Sequence, residues 1–242
     1  MFHIVKAEAL KHQHTFGAWL PVVAPAFTLV LVLPWAGMGS ALLAGVWNWW
    51  YMLLLPGMLA VFCYLGMKKD KTINYYHLLL VPEEVSRCLL GKLVYAFFGL
   101  LSANFLIFAG TWVCGMMFEG SASAAGEFLG FLVLSATYAW EIPLYFLLGA
   151  RFHMFAVLFM SMAMQAGSLL AGTTYWWVHP AAIPVRLMCP LLGIQPNGLP
   201  VLEGSVLESP DVLWPGIGLS LGWLVLLTGC LLAWFKRRAV NG

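Results

Sequence analysis

Residues 50–71 read WYMLLLPGMLAVFCYLGMKKDK, and this stretch decides the fold. Its first 18 residues carry no charged side chain, whereas three of the last four residues are lysines. An uncharged apolar run of about 20 residues is long enough to cross the hydrocarbon core of a bilayer as a helix. Lysines directly after such a run are typical of a span that ends at the cytoplasmic surface. The stretch therefore predicts a membrane-spanning helix followed by an inner loop.

The composition extends this interpretation to the whole chain. Of its 242 residues, 62% are hydrophobic and 9% are charged, whereas soluble domains are about 45–50% apolar and about 25% charged. That length holds about six spans with short loops and leaves no room for a second folded domain. Residues 1–242 are therefore predicted to form a single transmembrane domain. The net charge of +2 is too small to indicate a nucleic-acid partner.

Charged residues divide the chain into six apolar runs. They lie at about 17–35, 50–67, 93–116, 128–150, 154–172 and 213–235. The connections between them alternate between basic and non-basic, and 11 of the 12 basic residues, all but Arg186, fall on one side. The positive-inside rule places that side in the cytoplasm. The sequence thus predicts an all-α polytopic membrane protein with six transmembrane helices and both termini cytoplasmic; a cleaved signal sequence at the start is a weaker alternative.

The longest basic connection, residues 68–92, reads KKDKTINYYHLLLVPEEVSRCLLGK. Ile73, Tyr76 and Leu80 recur near helical spacing, which suits a short helix on the inner membrane surface. Pro82 then suits the first turn of a helix that continues into the third span. A short helix held between two spans could receive motion from a soluble partner, but a solvated amphipathic loop fits the local pattern equally well. Before the first span, residues 2–15 predict an interfacial helix.

The chain contains no sequence motif for ATP binding or for catalysis. A GxxxxGKS or GxxxxGKT loop, a GxSxG motif and an HExxH motif are all missing. The five cysteines show neither CxxC nor disulfide-framework spacing. No metal site and no cofactor bound by this chain are therefore expected, and the energy for any transport would have to come from another subunit.

Polar side chains inside predicted spans form a possible intramembrane polar site. They are Asn104, Glu141 and Gln165. Glu141 falls near the bilayer centre, where a charge is costly, so it should face protein or water. Pro143 leaves the carbonyl of Ala139 without its helical partner and adds to the local polarity. Asn104 and Gln165 are candidates to bridge helices.

The role of Glu141 has three interpretations. It could contact substrate or carry a proton, or it could bond a neighbouring helix and serve structure alone. Intramembrane catalysis is a third possibility, but it would need a histidine such as His153 or His179, and both lie near predicted span ends.

The connection before the last span contains HPAAIPVRLMCPLLGIQPNGLP at residues 179–200. This run is too apolar for an ordinary hydrated loop and too rich in proline for a spanning helix. Short helices and turns that dip into the outer leaflet are therefore predicted. Within the run, Pro196, Asn197 and Gly198 predict a turn, since Gly and Asn tolerate positive φ.

These features together resemble the ABC-2 type permeases. The resemblance lies in six predicted spans with cytoplasmic ends, a leading interfacial helix, and KKDKTINYYHLLLVP at residues 68–82 followed by GK before the third span. More narrowly, IPVRLMCPLLGIQPNGLP at residues 183–200 and NWWYMLLLP at residues 48–56 are similar to the MutG branch of lantibiotic-immunity permeases. The resemblance covers essentially the whole chain, and the outer-loop motif that carries much of it includes Arg186, Pro196, Asn197 and Gly198.

This resemblance implies a permease subunit of an ABC exporter in the bacterial plasma membrane. Such a subunit pairs with a second related permease and with two copies of a separate ATPase, which binds ATP and Mg, and expels a lanthipeptide from the producer's own membrane. The connection between spans 2 and 3 would hold the coupling helix, which would contact the ATPase through Asp70, Lys71, Ile73, Tyr75, Tyr76, His77 and Leu80. A membrane scaffold or peptide sensor that transports nothing is the alternative from another class.

Overall fold

The computed structural model describes residues 2–32, 34, 40–73, 75, 85–117 and 123–241. Within these residues the chain is all-helical, and an isolated bridge between Ile194 and Pro200 is the sole β-type pairing. The α-helices are α1 (Phe2–His12), α2 (Phe16–Val32), α3 (Ser40–Trp49), α4 (Leu55–Thr72), α5 (Val85–Met117), α6 (Ala124–Tyr138), α7 (Glu141–Arg151), α8 (Met154–Ala171), α9 (Ala182–Leu192) and α10 (Leu213–Asn241). A π-helical turn, Trp50–Leu54, joins α3 to α4, and two short 3-10 turns, Val206–Glu208 and Pro210–Val212, precede α10.

Four stretches are long and apolar enough to cross a membrane: Leu43–Thr72, Val85–Met117, Met154–Ala171 and Pro210–Arg238. Two bent pairs also qualify if each pair counts as one span, namely α1 with α2, bent by 82°, and α6 with α7, bent by 41°. The described residues therefore hold four to six candidate spans, which is compatible with a multi-pass membrane protein. Each of the six predicted apolar runs lies on these helices, although the run 17–35 extends past α2 into residues outside the described part of the chain.

Helix α4 is the core of the bundle. In its stretch, Leu43–Thr72, 61% of the apolar window is buried by other parts of the chain, compared with 17% for the stretch that contains α10. The close packing of α4 against α7 depends on a missing side chain, because a Cβ on Gly149 would lie 3.3 Å from the Cα atom of Tyr64. Small residues at such contacts allow helix backbones to approach within a membrane.

The π-helical turn before α4 has its physical origin in Pro56. Leu55 donates its N–H to the carbonyl of Trp50, five residues back, so the turn follows the wide π register. In that register the next donor would be residue 56, but proline has no N–H. The carbonyl of Tyr51 is thus left without its helical partner, and the buried hydroxyl of Tyr138 donates to it. A backbone irregularity in the π-helical turn before α4 is in this way satisfied by α6.

A break at Ala139 and Trp140 separates α6 from α7. Pro143 was expected to leave the carbonyl of Ala139 without its α-helical partner, and that carbonyl instead accepts a bond from Ile142 N, at 3.2 Å. The run predicted as one span, 128–150, is therefore two helices bent by 41°. The break places Glu141 in the first turn of α7.

The helix ends gather at two ends of the bundle. We call one the basic end, because every described lysine and arginine except Arg186 lies on α1 or on the parts of α4, α5, α7 and α10 that meet there. The other, the far end, contains α9 and the turns at residues 194–212. The predicted segregation of basic residues in the sequence is therefore also a segregation in space. The short helix predicted within residues 179–200 is confirmed as α9.

Candidate functional site

Four charged side chains form a compact cluster at the basic end. Lys92 Nζ lies 2.7 Å from Glu8 Oε2 and 2.7 Å from Asp70 Oδ2. Lys11 Nζ lies 2.7 Å from Glu8 Oε1 and 3.9 Å from Asp70 Oδ1. This ion cluster of Glu8, Lys11, Asp70 and Lys92 joins α1, α4 and α5. Neither Glu8 nor Lys92 was predicted as a site residue, although both were visible as charges beside or inside apolar runs.

Three of the four members of the ion cluster are buried, which makes their pairing obligatory, whereas the side chain of Lys11 is 42% exposed. The side chains of Lys92, Glu8 and Asp70 are 3%, 5% and 6% exposed. An unpaired charge at such a depth is strongly unfavourable. Burial raises the pKa of Glu8, but the charges and hydrogen bonds of Lys92 and Lys11 outweigh burial and leave that pKa below its ordinary value. Helix α1 can reach this depth because Gly91 on α5 has no Cβ, which would lie 2.5 Å from Ile4 Cγ2.

The chain that leaves α4 at the basic end is fastened through Tyr75 to two other helices, α7 and α10. Tyr75 N donates to the carbonyl of Asp70 at 2.7 Å, with Tyr75 in the left-handed region at φ +61°. Its hydroxyl donates to the carbonyl of Ala150 on α7 at 3.0 Å. Its ring packs edge-on against Phe235 of α10 at 5.3 Å and lies 4.9 Å from the guanidinium of Arg238. These contacts offset the strain of positive φ in a bulky residue.

The predicted coupling residues divide into three groups. Asp70 and Lys71 belong to the last turn of α4, so a separate coupling helix can begin only after Thr72, later than the predicted start. Lys71 Nζ reaches the carbonyl of Phe152 at 3.0 Å and therefore contacts the end of α7. Ile73 is exposed, whereas Tyr75 is buried. Tyr76, His77 and Leu80 lie outside the described residues.

The three predicted intramembrane residues form two separate networks. Gln165 Nε2 donates to Glu141 Oε1 at 3.2 Å, which joins α8 to α7. Asn104 does not take part in that bond: its Oδ1 accepts from Trp50 Nε1 at 2.8 Å, and its Nδ2 donates to Ser135 Oγ at 3.1 Å. The predicted bridging role is confirmed for both amides.

Glu141 is completely buried and only half satisfied. Its Oε2 accepts no hydrogen bond of good geometry from the described residues, although Tyr145 lies beside it. The neighbouring hydroxyl of Tyr145 donates to Ser161 Oγ at 2.8 Å. Neither histidine considered with Glu141 is seen bonded to it, since His179 Nε2 lies 2.8 Å from the carbonyl of Met164 and His153 precedes the first turn of α8.

A groove of about 410 Å³ opens at the far end between the π-helical turn, α8 and the turn at residues 195–198. We call it the far groove. Its apolar walls include Met52, Leu53, Met162 and Leu169. Its polar lining includes three amide side chains, those of Asn48, Gln165 and Asn197. Apolar walls with a few placed polar groups are typical of ligand sites.

The predicted turn at Pro196, Asn197 and Gly198 forms one rim of the far groove. Gly198 N donates to the carbonyl of Gln195 at 2.9 Å, and Gly198 has φ +86°. Asn48 Nδ2 donates to the carbonyl of Pro196 at 3.3 Å. A Cβ on Gly198 would lie 3.1 Å from Asn48 Oδ1, so glycine is required both by the backbone and by the neighbour. The groove therefore brings together the two motifs NWWYMLLLP and IPVRLMCPLLGIQPNGLP.

Arg186, the outer-loop basic residue, holds the far end together. Its guanidinium donates to the carbonyls of Val206 at 2.8 Å and Leu207 at 3.0 Å. Burial lowers the pKa of Arg186 below its ordinary value. The side chain thus ties α9 to the turn before α10 and is not an exposed ligand contact.

Among the residues that the structure describes, no group of three or more His, Cys, Asp or Glu side chains is placed to hold a metal ion. No protein-family model, curated protein or solved structure shows a significant match to the chain.

Proposed function

We propose that this chain is the permease subunit of an ABC exporter, with six spans and both termini in the cytoplasm of a bacterial cell. Its cargo would be an amphipathic peptide of the lanthipeptide class, expelled from the producer's membrane. The proposal is supported by the motif resemblance, by the crowding of basic residues at one end and by the lack of an ATP-binding motif.

One observation carries the proposal: the junction formed by the last turn of α4 and Tyr75 is fastened to the bundle from several sides. Asp70 joins it to α1 and α5 through the ion cluster. Lys71 and Tyr75 join it to the end of α7, and Tyr75 also packs on α10. A loop that served only as a connection would not need buried anchors on four helices.

Such anchoring suits the transfer of force. A soluble partner that displaced residues 73–84 would pull on α4 and α7 together, because backbone carbonyls of α7 are bonded to Lys71 and Tyr75. Helices are stiff over lengths such as the 11 residues of α7, so motion at its basic end would reach Glu141 at its other end. In this scheme ATP and Mg bind two copies of the partner ATPase, and a second related permease completes the complex.

The test is copurification followed by transport. The tagged chain should retain an ATPase subunit, and proteoliposomes of that complex should release a fluorescent lanthipeptide in an ATP-dependent manner. Tyr76→Ala and His77→Ala should lower the release rate by roughly fivefold or more, since the family resemblance assigns both residues to the coupling helix, with Lys68→Ala as the control. Release that persists after deletion of residues 73–80 would contradict coupling, and unaltered efflux from cells lacking the chain would favour the scaffold or sensor.

A further inference from the structure

We infer that the far groove is the binding site for a cationic amphipathic peptide, and that Gln165 at its floor connects occupancy of the groove to α7. The inference deepens the proposed function, because it gives the cargo a site. It rests on the chemistry of the groove lining, on the charges of the far end and on the bond from Gln165 to Glu141.

The lining distinguishes the far groove from a lipid-tail cavity elsewhere in the chain. A second cavity, of about 160 Å³ at the bend between α6 and α7, includes Phe97, Ile142 and Leu224 in its lining and has no polar lining atoms. A lipid acyl chain could fill that cavity without covering any polar group. In the far groove an acyl chain would cover the amides of Asn48, Gln165 and Asn197 without offering them a hydrogen bond, which is unfavourable. A peptide brings both apolar side chains and backbone amides.

The charges at the far end favour a cationic occupant. Exposed carboxylates there belong to Glu203, Glu208 and Asp211. The one basic side chain among the described far-end residues, Arg186, is buried and bonded to backbone carbonyls. A peptide with positive charges would therefore be attracted to this end before its apolar side enters the groove.

Gln165 gives the groove a connection to the interior. Its Nε2 donates to Glu141 Oε1, and its side chain also interacts with the hydroxyl of Tyr138, so a ligand would compete with Tyr138 for the second N–H. Glu141 Oε2 accepts no hydrogen bond of good geometry from the described residues, so the α7 side of this bond is incompletely satisfied. A peptide carbonyl that draws Gln165 toward the groove would weaken its bond to Glu141. The first turn of α7 would then be free to shift.

The test uses two adjacent leucines of α8. Leu169 lines the groove, whereas Leu170 is 86% exposed and lies outside the lining. Both should tolerate replacement, because neither is buried. The full chain, Leu169→Trp and Leu170→Trp are each placed in nanodiscs of neutral phosphatidylcholine. The probe is a fluorescein-labelled amphipathic peptide of leucine, lysine and serine, and binding is followed by anisotropy against empty discs.

We expect Leu169→Trp to raise the Kd by about tenfold or more, because the indole fills the groove, and Leu170→Trp to leave it unchanged. Equal affinity in both variants, or no binding to the unaltered chain, would overturn the inference. A lipid occupant would also overturn the inference. In that case native mass spectrometry would find a phospholipid on the unaltered chain and on Leu170→Trp but not on Leu169→Trp, and all three would bind the peptide equally. Binding is measured without an ATPase, so it does not depend on export. If the chain exports nothing but Leu169→Trp still weakens peptide binding, the result supports the far groove as a peptide site and contradicts only the export proposal.

Discussion

The two ends of the bundle are held together by different chemistry. At the basic end, the buried side chains of Glu8, Asp70 and Lys92 form ion pairs with one another. At the far end, side chains such as Asn48 and Arg186 donate to backbone carbonyls. The basic end is therefore held by charges that depend on one another for pairing. The far end is held by separate hydrogen bonds around an open groove.

This difference indicates a division of labour. A buried ionic cluster tolerates little rearrangement, because removal of one partner leaves another charge unpaired. It suits a junction that must move as one piece. Neutral amides around an apolar groove can exchange one hydrogen-bond partner for another at little cost, which suits the binding of a ligand.

The largest effect is expected from Lys92→Met, which removes the central cation of the basic end. Glu8 and Asp70 would remain buried with Lys11 alone, and the free energy of unfolding should fall by about 3–5 kcal/mol. The measurement is denaturant unfolding in detergent. Lys68→Met, at an exposed position of the same end, should change stability by less than about 0.5 kcal/mol. Equal effects of the two variants would mean that burial of the cluster does not matter.

At the far end, Gly198→Ala should cost about 2 kcal/mol, because alanine is disfavoured at φ +86° and its Cβ would press on Asn48. Gly204→Ala is the matched variant: its φ is +76°, but nothing lies within 4 Å of the new Cβ. The difference between the two variants isolates the contact with Asn48. If their stabilities are equal, packing between the turn and Asn48 contributes nothing to this end.

Tyr75→Phe should cost about 1 kcal/mol, because the carbonyl of Ala150 loses its hydroxyl donor while the ring contacts remain. Tyr175→Phe, at a side chain that is 62% exposed, should change stability by less than about 0.5 kcal/mol. Unfolding in detergent measures both. A transport assay extends the comparison. A peptide release rate that falls for Tyr75→Phe alone would indicate that the bond to α7 is needed for coupling. A release rate unchanged in both variants would show that the bond contributes to stability but not to transport.

The smallest effect is a pH dependence at the basic end. The pKa of Glu8 in the folded chain lies below the ordinary value of 4.5, so the folded state binds fewer protons than the unfolded state in the acid range. The stabilisation from Glu8 should be present above pH 4.5 and should be lost as the pH falls through the folded pKa. Unfolding measured at several pH values gives the slope of the free energy of unfolding against pH. Glu8→Gln should reduce it, and an unchanged slope in that variant would assign it to other carboxylates.

The sequence predicted the helices well because its signals there are local. Lysines after residue 67 mark the end of an apolar run, and α4 ends with them at Thr72. Pro196, Asn197 and Gly198 predicted a turn from their own φ preferences, and the structure has one. Pro143 indicated a weakened helix, but the size of the bend depends on packing that no local pattern reveals.

The sites were harder to predict because they combine distant residues. Glu8, Asp70 and Lys92 come from three segments, and along the sequence each reads as one more charge at a membrane surface. The best available signal was Lys92, a lysine at the edge of a long apolar run. Asn48 likewise gains its role only when the turn at Pro196 lies beside it. Asn104 and Gln165 were recognisable as bridging amides, but their choice of partners was not.

The sidedness of the two ends decides whether the basic end can receive force from a cytosolic ATPase. Single cysteines are introduced at Lys68, exposed at the basic end, and at Val206, which is 84% exposed at the far end, after the 5 native cysteines are replaced by alanine. Intact cells are then treated with a membrane-impermeant maleimide. We expect the cysteine at Val206 to react at once and the cysteine at Lys68 to react only after permeabilisation. Labelling at Lys68 in intact cells, with Val206 protected, would contradict the proposed orientation and the coupling that depends on it.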